Sequence, residues 1–259
     1  MKYLLLLLFI VQVHANVSHT AQGTTIKVLG QSGKATVTRS ESITFQVDYL
    51  NELNSNGEIV GKTGAVKHSV NTFATQSFEF TNLQSTTYQN KSVEHFSFYS
   101  PIYSIGKLKV VVMIMKQETT VGTDNETWSV SPGDIKFNIE MYDWTFCKPC
   151  LDGTASHIEI GLEIKGSKSE SKSNKTIDIG GATLELSKRV NVDGSEIDMI
   201  DGYPQLLTKG SKQLFIFRFP TFLDKLVYDP VITMDSTTSE AVALKPYLFL
   251  CIISIFYFI

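Results

Sequence analysis

The chain has 259 residues, a formal net charge of −3 at pH 7, and 42% hydrophobic and 19% charged residues. This mild charge balance argues against a nucleic-acid partner, because neutralising phosphates requires a concentrated basic face. It argues less strongly against a protein that binds mineral through a high density of carboxylates.

The amino-terminal segment has the layout of a secretory signal peptide. Lys2 is an early cation, residues 3–13 are mostly apolar, and Ala15 stands at the position of a cleavage site. A membrane-spanning anchor is the weaker alternative, because the apolar run is well short of the roughly 20 residues that a span needs. We therefore expect residues 1–15 to be removed and the mature chain to begin at Asn16.

Alternating apolar residues predict β-strands along most of the chain, and no stretch keeps a helical period. One strand is predicted at residues 42–50 and another at 107–116, whose apolar centre indicates burial on both faces. The polar interval 118–126 is the best boundary if there are two domains. On the order of 12 strands, with turn signals every 8 to 12 residues or so, predict an all-β antiparallel β-sandwich over residues 16–235.

Two strand patterns flank the cysteine pair. Residues 135–141 and 158–164 each alternate apolar and polar side chains, so we expect a hairpin at the centre of the sheet. The apolar residues change from odd to even positions in the aromatic run from Tyr142 to Phe146. We expect either a β-bulge there or aromatic packing on the opposite face.

Cys147 and Cys150 are the two cysteines outside the apolar carboxyl-terminal tail. In an oxidising compartment, cysteines three positions apart should form a disulfide. Thiol–disulfide exchange is one alternative, but no helix pattern follows the pair to lower a thiol pKa. Metal binding is another, although two thiolates do not complete a tetrahedral site.

Polar side chains of the two predicted strands form a candidate ligand face for a cation or a sugar. Cross-strand neighbours lie about 5 Å apart, so the expected hairpin would bring these groups together. A solvated sheet face explains the same residues and is the simpler interpretation. The face comprises Asn138, Glu140, His157, Glu159 and Glu163.

A second acidic region invites comparison with calcium loops. Asp193, Glu196, Asp198 and Asp201 lie close together in sequence, and calcium prefers oxygen-rich loops. However, Asp198 replaces the glycine that an EF-hand loop needs at its sixth position, so a plain surface turn is the simpler interpretation. Because the sequence contains no recognisable nucleophile, paired acid or zinc motif, we expect no catalytic residue, metal or cofactor.

Four Asn-x-Ser/Thr sequons fall between or at the edges of the apolar runs, as expected for glycans on exposed loops. They are Asn16, Asn90, Asn125 and Asn174.

The carboxyl-terminal region has the layout of a glycosylphosphatidylinositol (GPI) attachment signal. Small residues at 235–238 precede a polar spacer and the apolar tail 247–259, which no basic segment follows. A transmembrane helix is the weaker alternative, because the tail is too short to cross about 30 Å of hydrocarbon. We expect attachment at Asp235 or Ser236 and removal of the residues from 236 to 259.

The segments IKFNIEMYDWTFC and FPTFLDKLVYDP, together with the two processing signals, resemble uncharacterised membrane-anchored proteins of the skeletal organic matrix of stony corals. The resemblance covers short pieces of the second half of the chain. It implies a GPI-anchored extracellular protein associated with calcified matrix, and it transfers no functional residues.

These features together predict a secreted, N-glycosylated protein that is GPI-anchored at the cell surface, with shedding into the extracellular matrix as a further fate. The expected role is non-enzymatic adhesion or matrix organisation, including biomineral matrix. Its expected partners are the outer membrane leaflet and unidentified extracellular matrix or cell-surface ligands. The alternatives are a carbohydrate- or calcium-binding surface module and an extracellular enzyme of unknown class.

Overall fold

A computed structural model describes residues 15–64, 66–123, 126–166, 170–171, 176–209 and 212–234. The regular structure in these ranges is β-strand, and the strand pairings are antiparallel. The predicted all-β antiparallel fold is therefore confirmed. None of the described residues belongs to a helix long and apolar enough to cross a membrane.

The strands form two large sheets and one separate hairpin. The eight-stranded sheet contains β1 (Val17–Ala21), β2 (Thr24–Val28), β3 (Ala35–Thr38), β4 (Ser42–Leu53), β5 (Ser69–Val70), β13 (His157–Lys165), β19 (Gln205–Lys209) and β20 (Lys212–Pro220). The twelve-stranded sheet contains β6 (Glu79–Phe80), β7 (Gln84–Tyr88), β8 (Lys91–Ile102), β9 (Gly106–Met115), β12 (Ile135–Tyr142), β14 (Glu170–Ser171), β15 (Thr176–Asp178), β16 (Ala182–Glu185), β17 (Arg189–Val192), β18 (Ser195–Asp198), β21 (Lys225–Tyr228) and β22 (Val231–Met234). The hairpin consists of β10 (Thr119–Thr123) and β11 (Glu126–Val130).

The described residues contain 22 strands, more than the 12 or so that the sequence predicted. Much of the difference comes from short strands such as β5 and β6, which have two residues each. A strand of two residues is too short to show a periodic pattern in the sequence. It is recognised only by its hydrogen bonds to a neighbouring strand.

The two sheets pack face to face through aromatic and aliphatic side chains. The ring of Phe45 on β4 lies 5.9 Å from that of Phe137 on β12, and Phe217 on β20 lies 4.9 Å from Tyr228 on β21. An apolar cavity between the sheets has a volume of only about 50 Å³. Ligand pockets are usually roughly 300 Å³ or larger, so this cavity is too small to serve as one.

The expected central hairpin is wrong, because its two strands belong to different sheets. β12 pairs with β9, β21 and β22, whereas β13 pairs with β4 and β20. The connection at residues 143–156 crosses from one sheet to the other. Each strand buries one apolar face against the opposite sheet. Its apolar and polar residues would therefore alternate in the same way whether β12 and β13 paired with each other or lay in different sheets.

Neither alternative expected for the aromatic run, a β-bulge or packing on the opposite face, is found. β12 ends at Tyr142, and Asp143 reverses the chain with a φ of +54°. Trp144 and Phe146 then enter the same core from the loop, where Phe146 lies 5.1 Å from the ring of Phe222. The parity changes because the strand has ended.

β9 was predicted to be buried on both faces through its apolar centre, and residues 112–115 are buried on both faces, whereas Lys107, Lys109 and Val111 are only partly buried. Its outer face is covered by the β10–β11 hairpin, whose Val121 and Val130 pack against Met113 and Met115 of β9. The polar interval 118–126 therefore contributes to a hairpin that packs on the sheet.

The loops divide between two ends of the sandwich. Residues 54–64, 66–68, 143–156 and 221–224 meet at one end, which we call the cysteine-loop end. At the other end, the backbone N–H of Met234 donates a 2.8 Å hydrogen bond to Asp134. The described chain therefore ends opposite the cysteine loop.

Candidate functional site

The structure divides the predicted ligand face between the two sheets. Asn138 and Glu140 lie on the outer face of β12, whereas His157, Glu159 and Glu163 lie on the outer face of β13. Because the sheets pack through their inner faces, these two groups of side chains point away from each other. They do not form one site, and the prediction of a shared face is wrong.

Glu159 belongs to an ion-paired cluster that we call the outer-face cluster, formed with Tyr49, Tyr203 and Arg218. The Tyr49 hydroxyl donates a 3.0 Å hydrogen bond to the Glu159 carboxylate, and Arg218 donates two more, at 3.0 and 2.5 Å. The Arg218 guanidinium lies 4.6 Å from the Tyr203 ring centroid. A cation at Glu159 would have to displace this charge-assisted contact, so the cluster disfavours cation binding.

Internal ion pairs also occupy the polar face of β12. Glu140 lies 3.1 Å from the Nζ of Lys225 and 3.5 Å from that of Lys109. Lys136 is fully buried and donates a 2.6 Å hydrogen bond to the Asp229 carboxylate. Burial lowers the pKa of Lys136, while the nearby charge of Asp229 acts in the opposite direction.

Cys147 and Cys150 form a disulfide, as expected. The Asp152 carboxylate accepts hydrogen bonds from the backbone N–H groups of Gly61, at 2.7 Å, and Lys62, at 3.0 Å. These bonds hold the pKa of Asp152 below its usual value. The two sulfurs and an Asp152 oxygen lie within 4.8 Å of one another, but metals bind thiolates rather than a disulfide.

Sequence analysis missed the buried carboxylate that holds the cysteine loop in place. Glu52 is fully buried and accepts hydrogen bonds from His68 Nδ1 at 3.0 Å, Trp144 Nε1 at 2.9 Å and the backbone N–H of Cys147 at 2.8 Å. An ionised carboxylate only accepts hydrogen bonds, so Nδ1 of His68 is the donor whenever Glu52 is ionised. The Glu52 carboxyl group therefore joins the end of β4 to two other segments, the residue that precedes β5 and the cysteine loop.

A β-bulge explains why the alternation did not reveal Glu52. Along β4, Ile43, Phe45 and Val47 point inward, which would place residue 52 outside. The pairing with β13 skips Asp48, and this bulge reverses the parity so that Glu52 turns toward the core. The sequence marks the position only as a charged residue at the end of an apolar strand.

The acidic turn uses its first carboxylate to bind the chain itself. Asp193 accepts hydrogen bonds from the backbone N–H groups of Leu223 at 2.8 Å, Asp224 at 2.7 Å and Lys225 at 3.0 Å. These bonds lower the pKa of Asp193. Its oxygens are thus already occupied, which fits a structural turn better than a calcium loop.

The remaining acids of this turn face a polar cleft at the side of the sandwich. Residues 199–204 cross from β18, at the edge of one sheet, to β19, at the edge of the other. A cleft of about 380 Å³ opens beside this crossing, and we call it the lateral cleft. Its lining includes Glu126, Lys188, Arg189, Asp198, Asp201 and Tyr203.

The lateral cleft exposes charges of both signs. In the part of the chain that the structure describes, the exposed side chains of Lys188, Asp198 and Asp201 make no hydrogen bond or ion pair. Arg189 donates a 3.0 Å hydrogen bond to the carbonyl oxygen of Glu196. Its Nε lies 3.5 Å from the Glu196 carboxylate and has no hydrogen-bond partner among the described residues. The cleft therefore offers both anion-binding and hydroxyl-binding groups.

Sequence analysis named Asp198 and Asp201 but missed the cations and the aromatic residue beside them. Lys188 and Arg189 precede the turn and carry no motif. Tyr203 lines the cleft and also contacts Arg218, so the lateral cleft adjoins the outer-face cluster. Only the crossing between the sheets brings these residues together.

Two of the predicted glycosylation sites are described and exposed. Asn16 accepts a 3.1 Å hydrogen bond from the backbone N–H of Gly30 through Oδ1, which leaves Nδ2 available for a glycan. Asn90 lies in the turn between β7 and β8. The other predicted processing sites lie outside the described residues: the signal peptide up to residue 14, Asn125, Asn174, Asp235, Ser236 and the tail that follows.

Comparison with known protein families gives a match that covers most of the chain. The family described as acidic skeletal organic matrix protein matches residues 35–176 and residues 165–259, which together span most of the chain. The residues that line the lateral cleft lie within the matched regions. No solved structure matches the chain.

Proposed function

Because the chain belongs to the acidic skeletal organic matrix protein family, we propose that it is a secreted, surface-tethered protein that organises this matrix without catalysing a reaction. The family match supports an extracellular role in skeletal matrix and is the observation that carries the proposal. N-glycosylation, a GPI anchor and the non-enzymatic character are the finer parts of the proposal.

The distribution of charge supports a role as a folded scaffold rather than as a polyanion. The chain has 26 acidic and 23 basic residues, so it lacks a large excess of carboxylates. Several acids are used internally, as at Glu140, Asp152 and Glu159, where cations or backbone N–H groups hold the carboxylate oxygens. We therefore propose that the protein acts through shaped binding surfaces.

The course of the chain is compatible with a tether. β22 ends at Met234, directly before the proposed attachment sites Asp235 and Ser236, and opposite the cysteine-loop end. A lipid attached there would direct the cysteine loop away from the membrane and leave the side of the sandwich accessible to matrix.

The tether is tested by treating intact expressing cells with a phosphatidylinositol-specific phospholipase. We expect release of the protein, with a carboxyl terminus that mass spectrometry maps to Asp235 or Ser236. Matched variants with a bulky residue at both positions should lose surface display. Resistance to the lipase, with residues 247–259 still attached and no lipase-blocking lipid modification, would contradict the anchor.

A carbohydrate- or calcium-binding module is the second candidate function. The engagement of Glu159 by Arg218 and of Asp193 by backbone N–H groups disfavours calcium at either predicted position. The mixed charges of the lateral cleft favour a carbohydrate. The Glu52–His68 pair, which resembles part of a catalytic dyad, is buried beneath the cysteine loop and is better suited to holding that loop than to catalysis.

A further inference from the structure

We propose that the lateral cleft binds a carboxylate-bearing sugar residue of an acidic polysaccharide. This inference extends the proposed matrix role and rests on it only for the setting in which the protein meets its ligand. It follows from the charges, volume and position of the cleft.

The cations of the cleft provide a site for a carboxylate. The exposed Lys188 ammonium has no partner in the described chain. Arg189, which also lines the cleft, donates a hydrogen bond to the Glu196 carbonyl oxygen and its Nε lies 3.5 Å from the Glu196 carboxylate, so Lys188 is the freer of the two cations. An ammonium and a guanidinium that line the same cleft can bind carboxylate oxygens through charge-assisted hydrogen bonds. An anionic group of the ligand would therefore lie against this pair of residues.

The acids of the cleft provide sites for hydroxyl groups. An ionised carboxylate only accepts hydrogen bonds, and a sugar hydroxyl is a donor of suitable size. Asp198 and Asp201 are exposed, line the same cleft as Lys188 and have not closed on it as an ion pair. A ligand with both hydroxyl groups and a carboxylate would satisfy both sets of charges, which a simple anion or cation would not.

Tyr203 and the size of the cleft complete the fit. Tyr203, whose ring also contacts Arg218, lines the cleft and supplies an aromatic surface on which the C–H face of a pyranose ring can pack. The volume of about 380 Å³ lies within the range of ligand sites, roughly 300 to 1,000 Å³. It can accommodate one sugar residue while its neighbours remain outside.

The same residues disfavour a bare divalent cation. In calcium sites, about six to eight oxygen atoms coordinate the ion. Here Lys188 and Arg189 line the cleft together with Glu126, Asp198 and Asp201, and Glu126 already accepts a hydrogen bond from Ser187, so the cleft does not present a full set of free oxygen ligands. Because the cleft opens beside the largely exposed edge strand β18, a polymer can continue beyond the bound residue.

The experiment titrates the full chain, purified in detergent from expressing cells, with defined oligosaccharides by calorimetry in buffer containing EDTA. The probes are a trimer of galacturonic acid, neutral chitotetraose and a cationic chitosan tetramer. We expect the acidic trimer to bind and the other two to bind more weakly by at least about tenfold, because each leaves one set of charges unsatisfied.

Variants locate the binding site. Lys188→Gln and Asp201→Asn should each weaken binding of the trimer about tenfold, the effect expected for losing one hydrogen bond to a charged group. Lys67→Gln and Asp224→Asn change exposed residues at the cysteine-loop end and should leave binding unchanged. The melting temperature of each variant shows whether it is folded, and the two cleft residues lie on different segments, so each tests the site independently.

Three results would overturn the inference: no binding of the acidic trimer by the folded chain, stronger binding of the neutral or cationic probe, or equal binding by the cleft and control variants. Binding in solution does not depend on an anchor, and release by the lipase does not depend on the cleft. Failure of this inference is therefore distinguishable from failure of the proposed function.

Discussion

The indole Nε1 of Trp144 donates a 2.9 Å hydrogen bond to the carboxylate of Glu52, joining the loop that leaves β12 to the end of β4. The two residues belong to opposite halves of the sandwich and are far apart in the chain. The cysteine loop is thus held by hydrogen bonds to a buried carboxyl group as well as by its disulfide.

Replacing Glu52 with alanine should destabilise the protein by about 3 to 5 kcal/mol, because it leaves His68, Trp144 and the Cys147 N–H without their shared acceptor. Urea unfolding measures the change. The matched variant Glu58→Ala removes an exposed carboxylate and should cost no more than about 0.5 kcal/mol. Equal costs for the two variants would show that the buried contacts contribute little.

Lys136 and Asp229 should respond unequally to substitution. Asp229→Ala leaves a fully buried ammonium without its carboxylate and should cost about 3 to 5 kcal/mol. Lys136→Met should cost less, because methionine fills the space of the lysine stem and the Asp229 side chain is 35% exposed to water. Unfolding of both variants and of the double variant tests this order, and the reverse order would contradict it.

Acid should weaken the attachment of the 223–225 turn. The backbone hydrogen bonds lower the pKa of Asp193 below its ordinary value of 3.8. Their stabilisation is thus fully present above about pH 4 and is lost as pH falls through the folded-state pKa. Asp193→Asn should therefore lower the melting temperature at pH 6 and differ less from the parent protein at pH 2. A difference that is independent of pH would contradict this account, and Asp224→Asn is the control.

Gly161 provides room for the ring of Tyr49 on the outer face of β13. A Cβ atom at Gly161 would lie 2.3 Å from a ring carbon of Tyr49, so the ring must shift when the side chain is present. Gly161→Ala should cost about 1 to 3 kcal/mol in unfolding experiments, as overpacking does. In a Tyr49→Ala background, the same change should cost clearly less. An undiminished cost there would place the strain in the backbone instead.

The strands themselves were largely predictable, and their partners were not. The alternation of residues 135–141 and 158–164 identified β12 and β13, because a strand with one buried face must alternate wherever it pairs. The same alternation could not show that the two strands lie in different sheets. For this reason Asn138 and Glu140 were placed beside His157, Glu159 and Glu163, from which the core separates them.

Less of the lateral cleft than of the fold could be predicted from the sequence. Asp198 and Asp201 were noticed as acids, but Lys188 and Tyr203 join them only through the crossing at the side of the sandwich. Similarly, Glu52 points inward because of a β-bulge in β4, and no residue in this strand indicates the bulge from sequence.

By itself, the sequence determined the strand-forming segments, the all-β class and the cysteine pair, because each depends on residues close together in the chain. Only the tertiary structure decided which strands pair, which carboxylates contact cations or backbone N–H groups, and which side chains line the lateral cleft. Those outcomes depend on contacts between distant segments, such as Glu159 with Arg218, and local periodicity carries no information about such contacts.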